Sequence, residues 1–194
     1  MAIDRARAEH GIAEFLSALG HDPEREPELA GTPERVVEAF AAELLSGYAV
    51  DLAALLAEGS LQSASRPAGI VVVRGIAVAT VCPHHLLPSL GSAVVAYRPG
   101  TRVLGLGTIA RLVDACARRL ALQEQVGERV VDSLVSLAGA RGAFCQITLR
   151  HSCLSARGTR QADATVRTQA AAGDLAGPDA ARELDFALRR EGDE

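Results

Sequence analysis

The spacing of apolar positions first changes near residue 70, from a helical period to an alternating one. In the first part the predicted elements are a helix at 4–19, a helix from Thr32 to about Gly47, a short helix near 51–57 and a Ser/Gly-containing link at 59–69. Thr32 is predicted as the N-cap of the second helix, with Pro33 at the first helical position. The first part is therefore expected to be helical throughout.

The second part is predicted to alternate strands with helices. Its predicted elements are a strand at 70–82, a returning strand at 91–97, amphipathic helices at 109–120 and 122–137, strands at 145–153 and 164–170, and a terminal helix at 178–190. On the strand at 145–153 the odd-numbered residues, including His151 and Cys153, share one apolar face. This order of elements favours an α+β fold, an antiparallel sheet with helices on one side.

The length of 194 residues fits one substantial core, so a single domain is expected over 1–194. Within it, 1–68 form an N-terminal helical region, 69–173 the core and 174–194 a C-terminal tail. No apolar run approaches the roughly 20 residues of a membrane span, and the N-terminus lacks the pattern of a secretory signal. A net charge of −4 argues against general nucleic-acid binding. We expect a cytoplasmic protein that binds neither membranes nor nucleic acid.

Two short segments carry the residues best suited to chemistry. They are Cys82-Pro83-His84-His85 and His151-Ser152-Cys153, which together offer two thiols and three imidazoles. Zinc prefers such ligands, and catalytic zinc sites use three protein ligands and keep one position open. Cys82, His85 and Cys153 would supply the three, leaving His84 and His151 to carry protons. Spacing alone leaves open a plainer reading, a buried thiol beside a hydrogen-bonded histidine.

The other two cysteines and the basic residues exclude some classes of site and mechanism. Cys116 and Cys145 lie on apolar stripes and are predicted to be core residues. With only four cysteines, two of them in ligand-like positions, a disulfide framework is not expected. All 20 basic residues are arginine, so mechanisms that need a lysine nucleophile are excluded.

Several motifs resemble the GTP cyclohydrolase I family in order and spacing, over roughly residues 10–173. They are Gly31-Thr32-Pro33-x-Arg35-Val36, Cys82-x-His84-His85-Leu86-Leu87-Pro88, Val95-Ala96-Tyr97-x-Pro99, Gly105-Leu106, Ala110-Arg111, Gln123-Glu124 and His151-x-Cys153-x-x-Ala156-Arg157-Gly158. The resemblance implies a zinc-dependent hydrolase that opens the imidazole ring of a guanine nucleotide at C8, releases formate and leads to a dihydroneopterin-type product. Seven matching blocks are more specific than any single motif.

The resemblance also assigns roles to residues. It implies zinc ligation by Cys82, His85 and Cys153, proton transfer by His84 and His151, recognition of the guanine edge by Glu124 with Gln123, and substrate binding by Leu106, Arg35, Arg111 and Arg157, the arginines holding the triphosphate. A carboxylate can accept from both N1–H and the exocyclic amine of guanine. Glu124 could instead be an acid favoured by a helix N-terminus, and each arginine a solvated surface charge.

The sequence departs from the family at four positions. Gly107 and Thr108 replace a serine and a phosphate-binding lysine, Glu38 replaces a second lysine, and Pro83 replaces a glutamate. Fewer cations predict either a substrate with fewer phosphates or poor use of GTP. The lost serine raises the alternative that the reaction stops at a ring-opened formamidopyrimidine or its deformylated product. A rival of another class is a non-catalytic, zinc-stabilised paralogue that binds a purine or regulates a partner.

The resemblance further implies a tunnel fold, in which the antiparallel sheet forms part of a barrel shared between subunits. A homodecamer of two stacked pentameric rings, with active sites between subunits, is expected. Unpaired sheet edges in an isolated protomer independently favour closure by assembly.

Overall fold

The computed structural model of the protein describes residues 3–62 and 69–188. Its helices and strands are α1 (Arg5–Ala18), α2 (Thr32–Glu38), α3 (Leu52–Glu58), β1 (Ser60–Gln62), β2 (Val71–Val81), β3 (Pro88–Arg98), β4 (Arg102–Leu104), α4 (Leu106–Ala117), α5 (Gln123–Ser136), β5 (Gly142–His151), α6 (Ser152–Ser155), β6 (Val166–Gly173) and α7 (Ala180–Leu188). Among these residues no helix is both long enough and apolar enough to cross a membrane.

A four-stranded antiparallel sheet, in the order β2-β3-β5-β6, forms the centre of the structure. The predicted α+β class with an antiparallel sheet is confirmed. A second, two-stranded sheet pairs β1 with β4, and neither of these strands was predicted. Strand β1 lies in the expected link at 59–69, of which residues 63–68 lie outside the described part of the chain. Three-residue strands are too short to show an alternating pattern.

Helices α4 and α5 pack on one face of the sheet and form the main core with it. Their apolar stripes, with Ile109, Leu112, Val126 and Val130 each at most 1 % exposed, lie against the inward residues of the strands. Cys116 and Cys145 belong to this core, as predicted. Burial of this continuous apolar surface is the main term that stabilises the fold.

The terminal helix corrects the expectation that all helices lie on one side. Leu184 of α7 clusters with Ala96 and Phe144. These strand residues alternate with inward-facing neighbours, so they point to the opposite face of the sheet. Arg98, on the same face, forms an ion pair with Glu183 of α7. The last two residues of the predicted helix at 178–190 lie outside the described part of the chain.

The predicted helix from Thr32 to Gly47 is not continuous. Its N-cap is Gly31, with a φ of 71°, and the Thr32 hydroxyl accepts from Arg35 instead of capping the helix. The α-helical turns end at Glu38, and a π-helical segment, Ala39–Leu44, and a 3-10 turn, Ser46–Ala49, follow. A Cβ added at Gly47 would lie 2.2 Å from the carbonyl oxygen of Ala115, so this segment lies directly on α4.

Candidate metal centre and active site

The loop after β2 holds the first ligand segment in a compact turn. The backbone N–H of Cys82 donates to the carbonyl of Leu87 (3.0 Å), and that of Leu86 donates to the carbonyl of Cys82 (2.9 Å). Leu86 adopts a left-handed conformation, with a φ of 55°. These two bonds close the turn, so that the side chains of Cys82, His84 and His85 lie at the same end of the sheet.

The second ligand segment reaches this end through β5. The predicted strand at 145–153 ends at His151, because its partner β3 has no register position beyond Ser89, which lies opposite His151. Without a ladder partner the chain turns into the short helix α6, and Cys153 lies in that turn rather than on a strand face. The turn, not the strand alternation, brings the Cys153 thiol to the loop after β2.

Cys82, His85 and Cys153 lie close enough to share one ion. One potential ligand atom from each lies within 4.8 Å of the others. The distance from Cys82 Sγ to His85 Nδ1 is 3.8 Å, and zinc bond lengths in a tetrahedron give a sulfur–nitrogen separation of about 3.6 Å. Cys82 Sγ and His85 Nδ1 therefore lie close to their zinc-bound separation. Among the described residues, Cys82, His85 and Cys153 are the only group of this kind.

The two facing thiols of this group suit a cation between them. Burial, and then the facing Cys82 thiol, raise the pKa of Cys153, whereas Arg157 lowers it. Two thiols that face each other cannot both ionise without repulsion, and a divalent cation between them removes that cost. Arg157 Nη1 lies 2.8 Å from His85 Nε2, so the predicted phosphate-binding guanidinium lies beside the metal group.

A cleft of about 290 Å³ opens next to the thiols and contains most of the predicted site. It is lined by Thr80, Cys82, Pro83, His84, Ser89, Ala121, Leu122, Gln123, Glu124, His151, Cys153, Leu154 and Val166. His84 is exposed, and its Nδ1 lies 3.9 Å from Cys82 Sγ. Glu124 is exposed in the first turn of α5. One cleft thus presents thiols, two imidazoles and a carboxylate.

His151 is held by hydrogen bonds at both ring nitrogens. Its Nδ1 lies 2.9 Å from Ser89 Oγ, and its Nε2 lies 2.8 Å from Gln123 Oε1. Burial lowers the pKa of His151, while the Glu124 carboxylate raises it by a smaller amount. The imidazole therefore favours its neutral form, which is able to accept a proton.

The side chain of Gln123 is turned into the protein. It is 3 % exposed, and its Nε2 donates to the carbonyls of Ile147 and Val166 and to the hydroxyl of Thr168, each at 3.0 Å. Its Oε1 accepts from His151. The amide is thus engaged within the protein, and Glu124 presents the acceptor group of this pair to the cleft.

Three predicted substrate-binding residues lie away from this cleft. Leu106 is 65 % exposed at the start of α4, Arg111 is exposed further along the same helix, and Arg35 is exposed on α2. None of them lines the cleft of their own chain. The structure therefore gathers the metal-ligand, histidine and guanine-edge candidates but not these three.

Thr108 and Glu38, at positions where the resemblance implies lysines, do not offer a cation. Thr108 is 4 % exposed, and a Cβ added at Gly59 would lie 2.1 Å from its hydroxyl oxygen, so the side chain is buried under the α3–β1 connection. Glu38 forms an ion pair with Arg5 of α1. Position 108 thus presents no side chain to a ligand, and position 38 presents a negative one.

Sequence reasoning missed two polar residues of the cleft, Thr80 and Ser89, which are 2 % and 1 % exposed. Ser89 lies between the two predicted strands, 70–82 and 91–97, and belongs to neither. Strand β3 in fact begins at Pro88. A proline at the first residue of a strand is compatible with pairing, and this was the available signal.

A second cavity, of about 400 Å³, lies between the N-terminal helices and Leu86. Its lining is apolar apart from Ser46 and Tyr48 and contains no histidine, cysteine or acid. The residues able to carry out chemistry therefore line the cleft beside the thiols and not this second cavity.

The four cysteines are expected to differ in reactivity. Burial raises the pKa of Cys116 to about 11 and that of Cys145 to about 12, so these thiols should not react in the folded protein at pH 8. A disulfide-exchange reagent should titrate two thiols in metal-free protein, Cys82 and Cys153, and four in denaturant. Added zinc should slow the two reactive thiols at least about tenfold. Equal reactivity of all four in the folded state would contradict this assignment.

Comparisons with known proteins show what the chain is similar to. The model of the family described as GTP cyclohydrolase I matches residues 8–189. A GTP cyclohydrolase 1 from Leifsonia xyli subsp. xyli is 45% identical over 181 residues, 93% of each chain, and one from Campylobacter lari is 38% identical over 181 residues, again 93% of each chain. The solved structure of an apo archaeosine synthase, QueF-Like, aligns with a TM-score of 0.44 and 17% identity, covering 56% of this chain and 97% of that one. From the family match and these identities, the chain belongs to the GTP cyclohydrolase I family.

Proposed function

We propose that the protein is a zinc-dependent GTP cyclohydrolase I-type enzyme. It hydrolyses the imidazole ring of a guanine nucleotide at C8, releases formate and leads to a dihydroneopterin-type product. The observation that carries this proposal is the convergence of Cys82, His85 and Cys153 within 4.8 Å of one another, in a cleft that also holds histidines and a free carboxylate.

The residues of the cleft have separable tasks. Cys82, His85 and Cys153 would hold zinc, which supplies the Lewis acidity that makes water a nucleophile at neutral pH. His84, exposed beside the thiols, can take or deliver a proton as the ring opens and formate leaves. His151 is held in place by hydrogen bonds and, being mainly neutral, can accept one.

Glu124 is proposed to select guanine. A carboxylate accepts hydrogen bonds from both N1–H and the exocyclic amine of guanine, a pair of donors that adenine does not offer. Its position in the first turn of α5 also places it in the favourable field of the helix N-terminus. The side chain of the neighbouring Gln123 contributes indirectly, because its amide oxygen holds the His151 ring.

Assembly is proposed to complete the substrate site. Strands β2 and β6 are the outer strands of the four-stranded sheet. Within the described part of the chain no further strand pairs with their outer edges, apart from one isolated bridge between Val81 and Leu120. Pairing of these edges between subunits would close the tunnel-fold barrel of a cytoplasmic homodecamer. Leu106, Arg35 and Arg111, exposed and outside their own cleft, would then serve a neighbouring one, while Arg157 serves its own.

The experiment is turnover of zinc-loaded protein with GTP, followed by formate release and product mass. We expect stoichiometric formate and a fluorescent, dihydroneopterin-type product. Glu124→Gln should lower kcat/KM about 10- to 100-fold, because one charge-assisted hydrogen bond is lost and an N–H faces an N–H. Glu128→Gln, one turn further along α5, is the matched control and should leave kcat/KM unchanged.

A protein that binds guanine nucleotides but releases no formate would instead be a non-catalytic paralogue. Loss of activity in both glutamate variants would also contradict the role given to Glu124, since only one of the two residues lines the cleft.

A second candidate function is hydrolysis of a guanine nucleotide that carries fewer phosphates than GTP. It is favoured by the burial of Thr108 and by the negative charge at Glu38. Comparing GTP, GDP, GMP and guanosine tests it, and a clear preference for GTP would exclude it. The product mass separately tests whether the reaction stops at a formamidopyrimidine or its deformylated product because Gly107 has no side chain.

A further inference from the structure

A row of polar side chains crosses three adjacent strands at the cleft. In the strand register Thr80 of β2 lies opposite Ser89 of β3, and Ser89 lies opposite His151 of β5. The row continues the helix-covered face, on which the next inward residues of β5, Leu149 and Ile147, belong to the apolar core. A serine hydroxyl that is 1 % exposed on such a face requires a hydrogen-bond partner. That partner is the His151 ring.

The surrounding hydrogen bonds determine how this ring is oriented. Two carbonyl oxygens, of Ile147 and Val166, accept from the Gln123 amide, so its nitrogen must face them and Oε1 must face His151. An oxygen acceptor at 2.8 Å requires a proton on His151 Nε2. In the neutral ring Nδ1 therefore carries the lone pair, and the Ser89 hydroxyl donates to it at 2.9 Å.

We propose that Ser89 is a positioning residue for His151 in the reaction proposed above. Gln123 fixes one end of the imidazole, and Ser89 fixes the other end at the wall of the cleft. A single hydrogen bond would let the ring pivot about the Gln123 contact, whereas two define its plane.

This positioning matters because proton transfer needs heavy atoms within about 2.6–3.2 Å of each other. Displacement of a catalytic group by about 1 Å can cost about a hundredfold in rate. The His151 ring is only partly buried, so packing alone does not hold it. Removal of the Ser89 hydroxyl should thus lower kcat and leave substrate binding nearly unchanged.

The test compares Ser89→Ala, Ser89→Cys and Ser89→Thr with the wild type in zinc-loaded protein. We expect Ser89→Ala to lower kcat for formate release about 10- to 100-fold, with KM within about twofold and zinc content unchanged. Ser89→Cys, of similar size but a weak donor, should lose activity in the same direction. Ser89→Thr, which restores the hydroxyl, should recover most of kcat. Ser92→Ala, on the exposed side of the same strand, is the matched control.

Wild-type kcat in Ser89→Ala and Ser89→Cys, or no recovery in Ser89→Thr, would overturn the proposal. Nitrogen-15 NMR of histidine-labelled protein gives a readout that does not need turnover. The His151 ring, assigned by its absence in His151→Gln, should show the Nε2–H tautomer, and its Nδ1 signal should shift in Ser89→Ala. An unshifted signal would also overturn it. Absence of formate from the wild type would refute the proposed function alone, because the NMR result would still stand.

Discussion

Replacing Cys82 with serine is expected to remove the bound zinc and to lower formate release at least about a thousandfold. Only three side chains of the described residues converge on the candidate metal position, so the loss of one thiolate leaves two. Lewis-acid activation by a metal contributes several kcal/mol to a transition state, which corresponds to a factor of that size. Zinc per chain, measured by atomic absorption, and formate release check both parts of the prediction.

Cys116→Ala is the matched control for Cys82→Ser. Cys116 is fully buried in the main core and lies outside the cleft. Its truncation should cost about 1 kcal/mol in the free energy of unfolding and leave zinc content and formate release unchanged. A Cys82→Ser protein that keeps one zinc per chain and wild-type turnover would show that the metal lies elsewhere, and the proposed mechanism would fail with it.

Replacing His84 with alanine is expected to lower kcat about 10²- to 10⁴-fold while zinc content stays the same. His84 lines the cleft but is not one of the three residues grouped around the candidate metal position. General acid–base catalysis by a placed side chain contributes a factor of this range. The zinc content separates this variant from Cys82→Ser, in which activity and metal are lost together.

His10→Ala is the control for the histidine substitution, since His10 is exposed on α1 and does not line the cleft. It should leave kcat, KM and zinc content at wild-type values. Full activity in His84→Ala would leave His151 as the sole candidate for the proton transfers. Loss of zinc in the same variant would instead place His84 among the metal ligands.

The longer elements of the fold were largely predictable from the chain because each of them repeats a clear pattern over ten or more residues. Helices α4 and α5 and strands β2 and β5 follow such patterns, and their existence is confirmed. The three-residue strands β1 and β4 were missed because they carry no period. The π-helical segment after α2 was also missed, because the spacing of apolar residues over so short a segment does not distinguish a π-helix from an α-helix.

The positions of particular side chains depended on three-dimensional pairing. The apolar alternation along β5 placed Cys153 on the strand, but the strand ends where its partner ends. Ser89 lies outside the predicted strand because Pro88 is expected to precede the strand, whereas β3 begins at this proline. Gln123 was assigned to guanine by its neighbour in sequence, whereas three acceptors contributed by β5 and β6 turn its amide inward.

The sequence by itself determined the kind of chemistry: two thiols and three imidazoles in two segments, no lysine, and enough matching blocks to indicate the GTP cyclohydrolase I family. These are properties of residue type and order, which need no coordinates. Only the tertiary structure decided that Cys82, His85 and Cys153 meet within 4.8 Å, and that Ser89 and Gln123 hold His151 from two sides. The physical reason is that strand register, helix packing and the turn at α6 set distances between residues about 30 to 70 positions apart, and no local pattern encodes them.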